Sequence, residues 1–513
     1  MLWVDDEIEL LRPHMMFLEQ RGYQVTGVTS GEEAVELSSR LQFDVVLLDE
    51  MMPGMGGLET LERIKGVRPS VPVIMITKNE EEELMDEAIG KRIEDYLTKP
   101  VNPSQIFMAC KRLLEARRIQ EERLVRDYVP EFNQIARLSA AGLDWEGWAE
   151  VHSKLSEWDL RLDDVGDEGL KQSHMDQKKE LNIEFCKYVE RNYADCVHSE
   201  KRPALSVDIF SDFVAPSIAS GKRVYFIVID CMRLDQWYGL EPLLQPYFDI
   251  ERHNCFSILP TATPYSRNAI FSGLFPGEIA RRHPDRWEQG DTESRGRNRF
   301  ERAFLEEQIK KLGLKIKPGF KYFKVYTADE GNSIKSQVPT LSSLPLVAMV
   351  FNFVDILAHG RSESEILQEL APDEAGFRAL MRTWFVHSSL FEIIKSIATQ
   401  DAEVVITTDH GSVLGKRAAL VKGDRGTSTN LRYKFGNNII CDEKQAVNVK
   451  DPADFKLPSE GLNTNYLMAK EDYYFVYPTR YHEFEKHYKG SFQHGGISME
   501  EMIIPCAVLT PKG

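Results

Sequence analysis

Residues 224–230 read VYFIVID: six consecutive β-branched or aromatic apolar residues are followed at once by an aspartate. A short apolar run of this composition is typical of a strand buried inside a sheet. Comparable runs occur at 346–354 and at 404–407. Short apolar strands alternating with helical segments are typical of an α/β domain with a parallel sheet. The sequence therefore predicts a large α/β domain over residues 206–513.

The preceding residues follow two further patterns. Over residues 1–115, apolar runs at 2–4, 45–48 and 71–76 are each followed by helical periodicity, which predicts a second, smaller parallel α/β domain. Residues 116–205 are helical in pattern and heavily charged, with breaks near Pro130 and Gly142, which favours a helical bundle connecting the two domains. The predicted fold class is α/β.

Composition excludes several classes of protein. The 63 basic and 80 acidic side chains give a net charge of -17, which disfavours duplex DNA binding as the main activity. The longest mostly apolar stretch, 344–357, is shorter than the about 20 residues that a spanning helix needs. No secretory signal is recognisable, and the seven cysteines form no C-x-x-C pair. We predict a cytoplasmic location.

The smaller domain carries a set of polar residues at predicted strand ends. Asp5 and Asp6 follow the first strand, Asp49 ends the second apolar run, and Thr77 and Lys99 end two later strands. Ligands of open parallel sheets bind outside the carboxyl ends of the strands, so these side chains can converge. Carboxylates suit Mg²⁺, a lysine and a hydroxyl can hold phosphoryl oxygens, and a carboxylate can attack phosphorus. Asp49 is the natural phosphoryl acceptor.

This part of the chain resembles the receiver domain of two-component response regulators. The motifs that carry the resemblance are Asp5-Asp6-Glu7, Asp49-x-x-Met52-Pro53, Gly56-Gly57, Thr77, Tyr96 and Lys99-Pro100. The resemblance implies a flavodoxin-like receiver domain in which Asp49 accepts a phosphoryl group from a sensor histidine kinase. It also implies roles for the surrounding residues: Mg²⁺ held by Asp5, Asp6, Asp49 and Met51, a switch formed by Thr77 and Tyr96, and a phosphoryl contact from Lys99. One departure is Lys78, which follows Thr77 where the family favours a small residue.

A second set of polar residues follows the strands of the larger domain. Asp230 ends the first apolar run, Asp355 and His359 follow the second, and Asp409 and His410 follow the third. A Pro-Thr-Ala-Thr stretch at 260–263 precedes a predicted helix, and His494 begins a His-Gly-Gly sequence. Imidazole and carboxylate groups are the ligands that Zn²⁺ prefers, and this set is large enough for two neighbouring sites. The same ligands also accept Mn²⁺.

These residues resemble the alkaline phosphatase superfamily, and the sequences at 230–235 and 494–501 resemble its PglZ branch. The resemblance implies one zinc bound by Asp355, His359 and His494, and another bound by Asp230, Asp409, His410 and Thr263. It also implies that Thr263 is the nucleophile. The family pattern places two threonines before a helix that ends in a small residue, Gly and Leu; with Ser272-Gly273-Leu274 at the helix end, the pattern aligns its nucleophile with Thr263, and Thr261 stays the alternative. Two cations about 4 Å apart can activate a hydroxyl and stabilise an in-line displacement. The expected reaction is cleavage of a phosphate ester, with mono- and diesters not distinguished.

Three arginines are candidates for substrate binding. Arg233 follows the first metal-ligand strand, where it either orients the site or forms an ordinary ion pair. Arg425 and Arg432 lie in the segment 422–434, which follows a ligand-bearing strand as active-site loops often do.

The order of receiver, helical connector and PglZ domain resembles the PorX-type response regulators of type IX secretion systems. The resemblance implies a cytoplasmic phosphoprotein with a PorY-like histidine kinase as partner and a homodimer favoured by phosphorylation. It implies a zinc-dependent phosphodiesterase for cyclic or linear oligonucleotides, with contacts to an inner-membrane secretion component and an ECF sigma factor. Two other hypotheses remain: a docking scaffold with incidental or no hydrolysis, and a DNA-binding regulator, for which no helix-turn-helix is recognisable.

Overall fold

The computed structural model describes residues 1–68, 71–78, 93–163, 167–287, 298–423, 428, 430–459, 461, 463–478 and 481–512. The chain forms two compact units. The first comprises Met1–Ala136 and Asp164–Leu170, and the second comprises Arg137–Asp163 and Lys171–Gly513. The segment 116–205, predicted as a connector, is therefore shared between the two units.

The first unit contains a five-stranded parallel sheet in the order β2-β1-β3-β4-β5, which is the flavodoxin-like order. Its strands are β1 (Leu2–Val4), β2 (Thr26–Val28), β3 (Val46–Asp49), β4 (Val73–Thr77) and β5 (Asp95–Thr98). A 3₁₀ turn over Ile8–Leu11 precedes α1 (Arg12–Glu19), and the described part of the unit also contains α2 (Gly31–Arg40) and α3 (Gly57–Val67).

The sheet of the first unit is apolar on both faces. Along the buried strands, alternate residues point to opposite sides: Trp3 and Leu47 belong to one apolar cluster, and Val4 and Leu48 belong to the other. This burial explains why the strands are continuous apolar runs and not alternating ones. It also directs the polar side chains of this unit to the ends of the strands.

Three long helices follow the first sheet: α4 (Pro103–Ala141), α5 (Trp145–Asp163) and α6 (Glu168–His198). The predicted break near Pro130 is wrong, because Pro130 lies inside α4. Proline removes one backbone hydrogen bond, to the carbonyl of Arg126, but both residues are exposed, so solvent can satisfy that carbonyl. The helix ends directly before Gly142, whose positive φ of 88° suits a glycine stop.

The second unit is built on a six-stranded mixed sheet in the order β7-β18-β10-β6-β9-β8. Strands β10, β6, β9 and β8 are parallel, whereas β18 runs antiparallel to both of its neighbours. These strands are β6 (Arg223–Ile229), β7 (Phe248–Phe256), β8 (Phe320–Val325), β9 (Leu346–Phe351), β10 (Ala402–Thr407) and β18 (Ile503–Pro511). Strand β6 lies between β9 and β10, so the three apolar runs identified in the sequence end side by side.

Smaller sheets and the remaining helices surround this sheet. The shorter strands are β11 (Val413–Leu414), β12 (Arg417–Leu420), β13 (Tyr433–Asn437), β14 (Ala446–Val449), β15 (Thr464–Ala469), β16 (Tyr473–Val476) and β17 (Phe492–Gln493). The helices are α7 (Ala215–Ala219), α8 (Leu234–Leu244), α9 (Thr263–Ser272), α10 (Pro276–Arg282), α11 (Glu301–Lys311), α12 (Ala328–Leu341), α13 (Phe353–Glu363), α14 (Glu365–Leu370), α15 (Glu374–His387), α16 (Ser389–Ala398), α17 (Tyr481–Tyr488) and α18 (Met499–Met502). Within the described ranges, no helix has the length and apolar character required to span a bilayer.

Candidate active sites

The acidic pocket of the first unit, formed by Asp5, Asp6, Asp49 and Lys99, lies at the carboxyl ends of β1, β3 and β5. Carboxylate oxygens of the three aspartates lie within 4.8 Å of one another. Asp5 and Asp49 are buried, whereas Asp6 is exposed. The Lys99 ammonium lies 3.0 Å from Asp5 Oδ2 and 3.0 Å from Asp49 Oδ1. The pocket thus combines three oxygen donors with one internal cation, a set that suits Mg²⁺.

Burial and charge act in opposite directions on the groups of the acidic pocket. Burial raises the pKa of Asp49 above its ordinary value, although Lys99 opposes the shift. Burial alone would lower the pKa of Lys99, but its contacts with Asp5 and Asp49 raise that pKa overall. Lys99 therefore stays charged and partly neutralises the buried carboxylates.

The predicted switch residues lie beside the acidic pocket in different environments. Thr77 is buried and its hydroxyl donates to the Glu50 carboxylate, a partner that sequence inspection did not identify. Tyr96 has 41% of its surface exposed, and Met51 is also exposed. The structure places the five polar residues predicted at strand ends along one edge of the sheet: Asp5, Asp6, Asp49, Thr77 and Lys99. Tyr96, the other predicted switch residue, lies at the surface.

The deep cluster of the second unit consists of Asp230, Thr263, Asp409 and His410. Asp230 follows β6, and Asp409 and His410 follow β10, while Thr263 is the first residue of α9. The Thr263 hydroxyl lies 3.0 Å from Nε2 of His410 and 3.4 Å from Oδ1 of Asp230. All of these side chains are buried.

Electrostatics in the deep cluster favours a bound cation. Burial raises the pKa of Asp230 to about 8 and also raises the pKa of Asp409. Burial lowers the pKa of His410 to about 3, so this imidazole is neutral. Its Nδ1–H donates to the Gly411 carbonyl at 3.0 Å, which leaves the Nε2 lone pair facing Thr263. Oδ2 of Asp409 is buried without a hydrogen-bond donor in the described part of the chain. A divalent cation would compensate these carboxylates, so the residues fit a metal site.

The open cluster consists of Asp355, His359 and His494. Nε2 of His359 lies 3.3 Å from Asp355 Oδ1, Nε2 of His494 lies 3.4 Å from the same oxygen, and the two nitrogens are 3.1 Å apart. In tetrahedral zinc sites with bonds of 2.0–2.2 Å, two ligand atoms lie roughly 3.3–3.5 Å apart. The triangle of donor atoms therefore has nearly the size that zinc requires. Half of the His359 side chain is exposed, which opens this cluster to solvent.

A short β-ribbon places the two clusters next to each other. Strand β11 follows His410 and pairs with β17, which directly precedes His494. The imidazoles of His410 and His494 stack with centroids 4.2 Å apart and planes at 18°. The deep and open clusters thus form one continuous group of imidazole and carboxylate side chains.

Tight packing explains the two glycines that follow His494. Gly495 has a positive φ of 116°, which a side chain rarely adopts. A Cβ on Gly496 would lie 2.5 Å from the Ala469 carbonyl oxygen and 2.5 Å from the Arg432 guanidinium. The Gly496 N–H donates to Glu501 at 2.8 Å, so a buried carboxylate fixes the loop that carries His494.

The two candidate threonines occupy different environments. The Thr261 hydroxyl donates to the Gly496 carbonyl at 2.8 Å and accepts from the Gly495 N–H at 3.1 Å. Both of its hydrogen-bonding roles are therefore used in holding the His494 loop. The Thr263 hydroxyl faces Asp230 and His410 instead, which is the geometry that the register argument predicts.

A buried arginine that the sequence prediction missed lies behind the deep cluster. Arg267 contacts Asp230 through Nη1 and donates through Nε to Glu301 at 2.6 Å. Glu301 also accepts from Asn298 Nδ2 at 2.8 Å, and Asn298 donates to the Thr263 carbonyl at 3.2 Å. The signal was present in the sequence, because Arg267 lies four residues after Thr263 and therefore on the same face of α9.

The structure corrects two of the three substrate-binding assignments. Arg233 is buried and forms a bidentate pair with Asp235, with distances of 2.8 and 2.9 Å. Arg432 is completely buried and pairs with Glu501. Both guanidinium groups are committed to buried carboxylates, Arg233 to Asp235 and Arg432 to Glu501, so each forms an internal ion pair. The third candidate, Arg425, lies outside the described residues.

Three family models match the chain in order. The response regulator receiver domain matches residues 1–111, the PorX response regulator linker domain matches 118–197, and the BREX system PglZ alkaline phosphatase-like domain matches 209–509. The last model covers more than half of the 513 residues.

Individual relatives match the receiver portion. The transcriptional regulatory protein ResD of Bacillus subtilis is 34% identical over 113 residues, covering 22% of this chain and 47% of ResD. The sensory transduction protein RegX3 of Mycobacterium tuberculosis is 36% identical over 115 residues, covering 22% of this chain and 49% of RegX3. The chain thus spans about half the length of these curated relatives. A CheY-like receiver domain protein from Methanospirillum hungatei, known as a crystal structure, is 30% identical with a TM-score of 0.22, covering 22% of this chain and 92% of that chain.

The family models agree with the α/β fold of the two units. The receiver domain and the alkaline phosphatase-like domain are both types that use metal ions. The alkaline phosphatase-like match also indicates a phosphoesterase-type hydrolase. The chain belongs to the PglZ alkaline phosphatase-like family, as a two-component response regulator of the PorX type in which receiver, linker and PglZ domains follow one another.

Proposed function

We propose that the second unit is a zinc-dependent phosphodiesterase whose activity is controlled by phosphorylation of Asp49. The observation that carries the proposal is the position of the Thr263 hydroxyl, 3.0 Å from a neutral imidazole and 3.4 Å from a buried carboxylate. The stacking of His410 on His494 places a second set of imidazole and carboxylate groups beside it. A hydroxyl next to two such sets is the arrangement that two-metal ester hydrolysis needs.

The donor atoms divide between two zinc sites. Asp230, Asp409 and His410 would hold one ion with Thr263, and the three residues of the open cluster would hold the other. When bound, two such ions lower the pKa of a hydroxyl and stabilise the charge on phosphoryl oxygens.

The protein residues supply the nucleophile and its orientation. The Thr263 oxygen forms a bond to phosphorus as the bond to the leaving oxygen breaks, which gives a covalent threonyl ester. Water then cleaves that ester and regenerates the hydroxyl. The Gly411 carbonyl fixes the orientation of the His410 ring, and Arg267 holds Asp230 from behind. Placing Thr263 at the start of α9 keeps its backbone fixed while the hydroxyl reacts.

Family membership supports a proposal for the substrate and the biological role. Proteins of the PorX type lead us to propose cyclic or linear oligonucleotides as substrates and regulation of type IX secretion as the process. The same membership leads us to propose a homodimer favoured by phosphorylation, and contacts with an inner-membrane secretion component and an ECF sigma factor.

The test is hydrolysis of bis(p-nitrophenyl) phosphate by zinc-loaded protein, with elemental analysis of the same samples. We expect Thr263→Val to lower kcat by at least about 10³-fold with its zinc retained, because the nucleophile is removed. Thr263→Ser keeps a hydroxyl and should retain measurable turnover. Thr261→Ser is the matched control and should remain within a few-fold of the wild type.

Two results would refute the proposal. Wild-type protein with two bound zinc ions but no turnover of this substrate or of oligonucleotides would refute the enzyme. Full activity in Thr263→Val would refute the nucleophile.

A further inference from the structure

Helix α6 lies against the loop that carries the metal ligand His494. Asn182 of this helix is buried, with 8% of its surface exposed. Its Oδ1 accepts from the Met499 N–H at 2.8 Å, and its Nδ2 donates to Oε2 of Glu500 at 2.8 Å. One helix turn later, the Cys186 thiol lies 3.1 Å from the Ile497 carbonyl oxygen. The helix therefore contacts three residues of the segment 497–500 through polar side chains.

The other side of the same loop is attached to the metal-binding framework. The Gly495 N–H donates to Thr261, and the Gly496 N–H donates to Glu501. Glu501 also accepts from Ser498 at 2.8 Å. Residues 495–501 are thus held between the framework on one side and α6 on the other. Because this short loop has little slack, displacement of Met499 and Glu500 would be transmitted to His494.

We infer that Asn182 is a positioning residue for the zinc ligand His494. This inference rests on the proposed function, since it requires the open cluster to bind zinc. The amide satisfies a backbone donor and a carboxylate at once, so it fixes both the position and the rotation of the start of α18. Asn182 acts through the loop and touches neither metal nor substrate.

The inference also gives the helical connector a role at the site. Helix α6 belongs to the stretch of chain that joins the receiver domain to the PglZ domain in sequence. Its buried polar contact with the His494 loop is a physical link by which the position of this helix sets the geometry of the open cluster. A purely apolar contact would allow the loop to slide, whereas two hydrogen bonds from one amide specify a single register.

The experiment measures zinc affinity by competition with a chromogenic chelator in the full-length protein. Substituting a residue that orients a metal ligand typically weakens metal affinity by about 10–100-fold. We expect Asn182→Leu, which keeps the size but loses both hydrogen bonds, to weaken one zinc site by that factor and leave the other unchanged. His494→Ala should weaken the same binding step, which identifies the site.

A double variant that exchanges the amide and the carboxylate tests whether the hydrogen bond between residues 182 and 500, and not only the size of the side chain at 182, determines zinc affinity. Asn182→Asp places a carboxylate against Glu500 and should weaken the same zinc site. Adding Glu500→Gln supplies an amide donor from the other side, so the double variant should recover most of the affinity.

Asn192→Ala is the matched control for helix stability. The Asn192 side chain donates to the Tyr188 carbonyl of the same helix, at 2.8 Å, and so bonds within α6 itself. Alanine favours the helix, so we expect this variant to keep the stability of α6 and to leave both zinc affinities unchanged. Wild-type zinc affinities in Asn182→Leu, or equal loss at both sites, would overturn the inference even if the wild type hydrolyses diesters. A wild type that binds no zinc would refute the metal proposal itself, and this inference with it.

Discussion

The acidic pocket of the first unit and the paired clusters of the second unit both lie at the carboxyl ends of adjacent parallel strands, but they stabilise their carboxylates differently. In the acidic pocket, the Lys99 ammonium lies 3.0 Å from two carboxylates. In the deep and open clusters, imidazoles take part beside the carboxylates, and the cation Arg267 contacts Asp230 from behind.

This difference indicates what each site can hold. An internal lysine competes with a metal for the same oxygens, so the acidic pocket suits a weakly held hard cation and a transient phosphoryl group. Imidazole nitrogens add softer donors, so the paired clusters offer a donor set that suits the zinc ions of the proposed function. If the proposed function is right, the same strand-end architecture provides a reversible site in one unit and a resident metal centre in the other.

The largest expected effect comes from removing one carboxylate in each unit. We expect Asp49→Asn to abolish labelling by acetyl phosphate while both zinc ions stay bound. Asp409→Asn should lose one zinc per chain and at least about 10³-fold in diesterase kcat, with labelling of Asp49 unchanged. The two variants serve as controls for each other, using labelling and elemental analysis. Loss of zinc in Asp49→Asn would contradict the separation of the two sites.

A second expected effect concerns the cation behind the deep cluster. Arg267→Met leaves Asp230 and Glu301 buried without their partner. Removing one partner of a buried ion pair costs about 3–5 kcal/mol. We therefore expect the unfolding free energy of the metal-free protein to fall by about this amount. Zinc should restore part of it. The control is Lys187→Met, whose pair with Glu184 is exposed on both sides and should contribute less than about 1 kcal/mol. Equal losses in the two variants, measured by urea denaturation, would argue against a special role for Arg267.

A third prediction compares one glycine from each unit. A Cβ at Gly57 would collide with the Asp49 carbonyl oxygen, and one at Gly496 would collide with that of Ala469. Overpacking of this kind costs about 1–3 kcal/mol, so both Gly→Ala variants should unfold at lower temperature. Only Gly496→Ala should also weaken zinc binding.

The control for this comparison is Gly66→Ala. Gly66 lies in α3, and apart from its chain neighbours and its own helix backbone no described atom lies within 4 Å of the added Cβ, so alanine should stabilise the helix slightly. A thermal melt that falls equally in all three variants would show that glycine itself, and not the close contact, is responsible.

The smallest expected effect tests the internal cation of the acidic pocket. Lys99→Met removes the competitor for Asp5 and Asp49, so Mg²⁺ should bind roughly fivefold more tightly, or ~1 kcal/mol. Lys65→Met, which removes an ion pair with Glu94 elsewhere in the same unit, is the control and should leave Mg²⁺ affinity unchanged. Isothermal titration measures both, and weaker Mg²⁺ binding in Lys99→Met would contradict the competition.

Sequence alone determined the fold class and the residues available for chemistry. Apolar runs such as 224–229 are local signals of buried strands, and the structure confirms the α/β architecture with flavodoxin-like strand order in the first unit. Because parallel strands end at one edge, acids that follow those runs were predictable as neighbours. The sequence therefore predicts which acids lie together at the strand ends: Asp5, Asp49, Asp230 and Asp409.

Only the tertiary structure decided how those residues are used. Thr261 and Thr263 are two residues apart in sequence. In the structure the Thr261 hydroxyl bonds to the loop after His494, whereas the Thr263 hydroxyl faces His410. Sequence predicts Arg432 as a substrate contact, whereas in the structure Arg432 is buried and paired with Glu501. Such outcomes depend on contacts between residues far apart in the chain, which local periodicity does not encode. The physical reason is that burial and hydrogen-bond partners are set by packing, whereas sequence patterns specify only which residues a strand or helix presents.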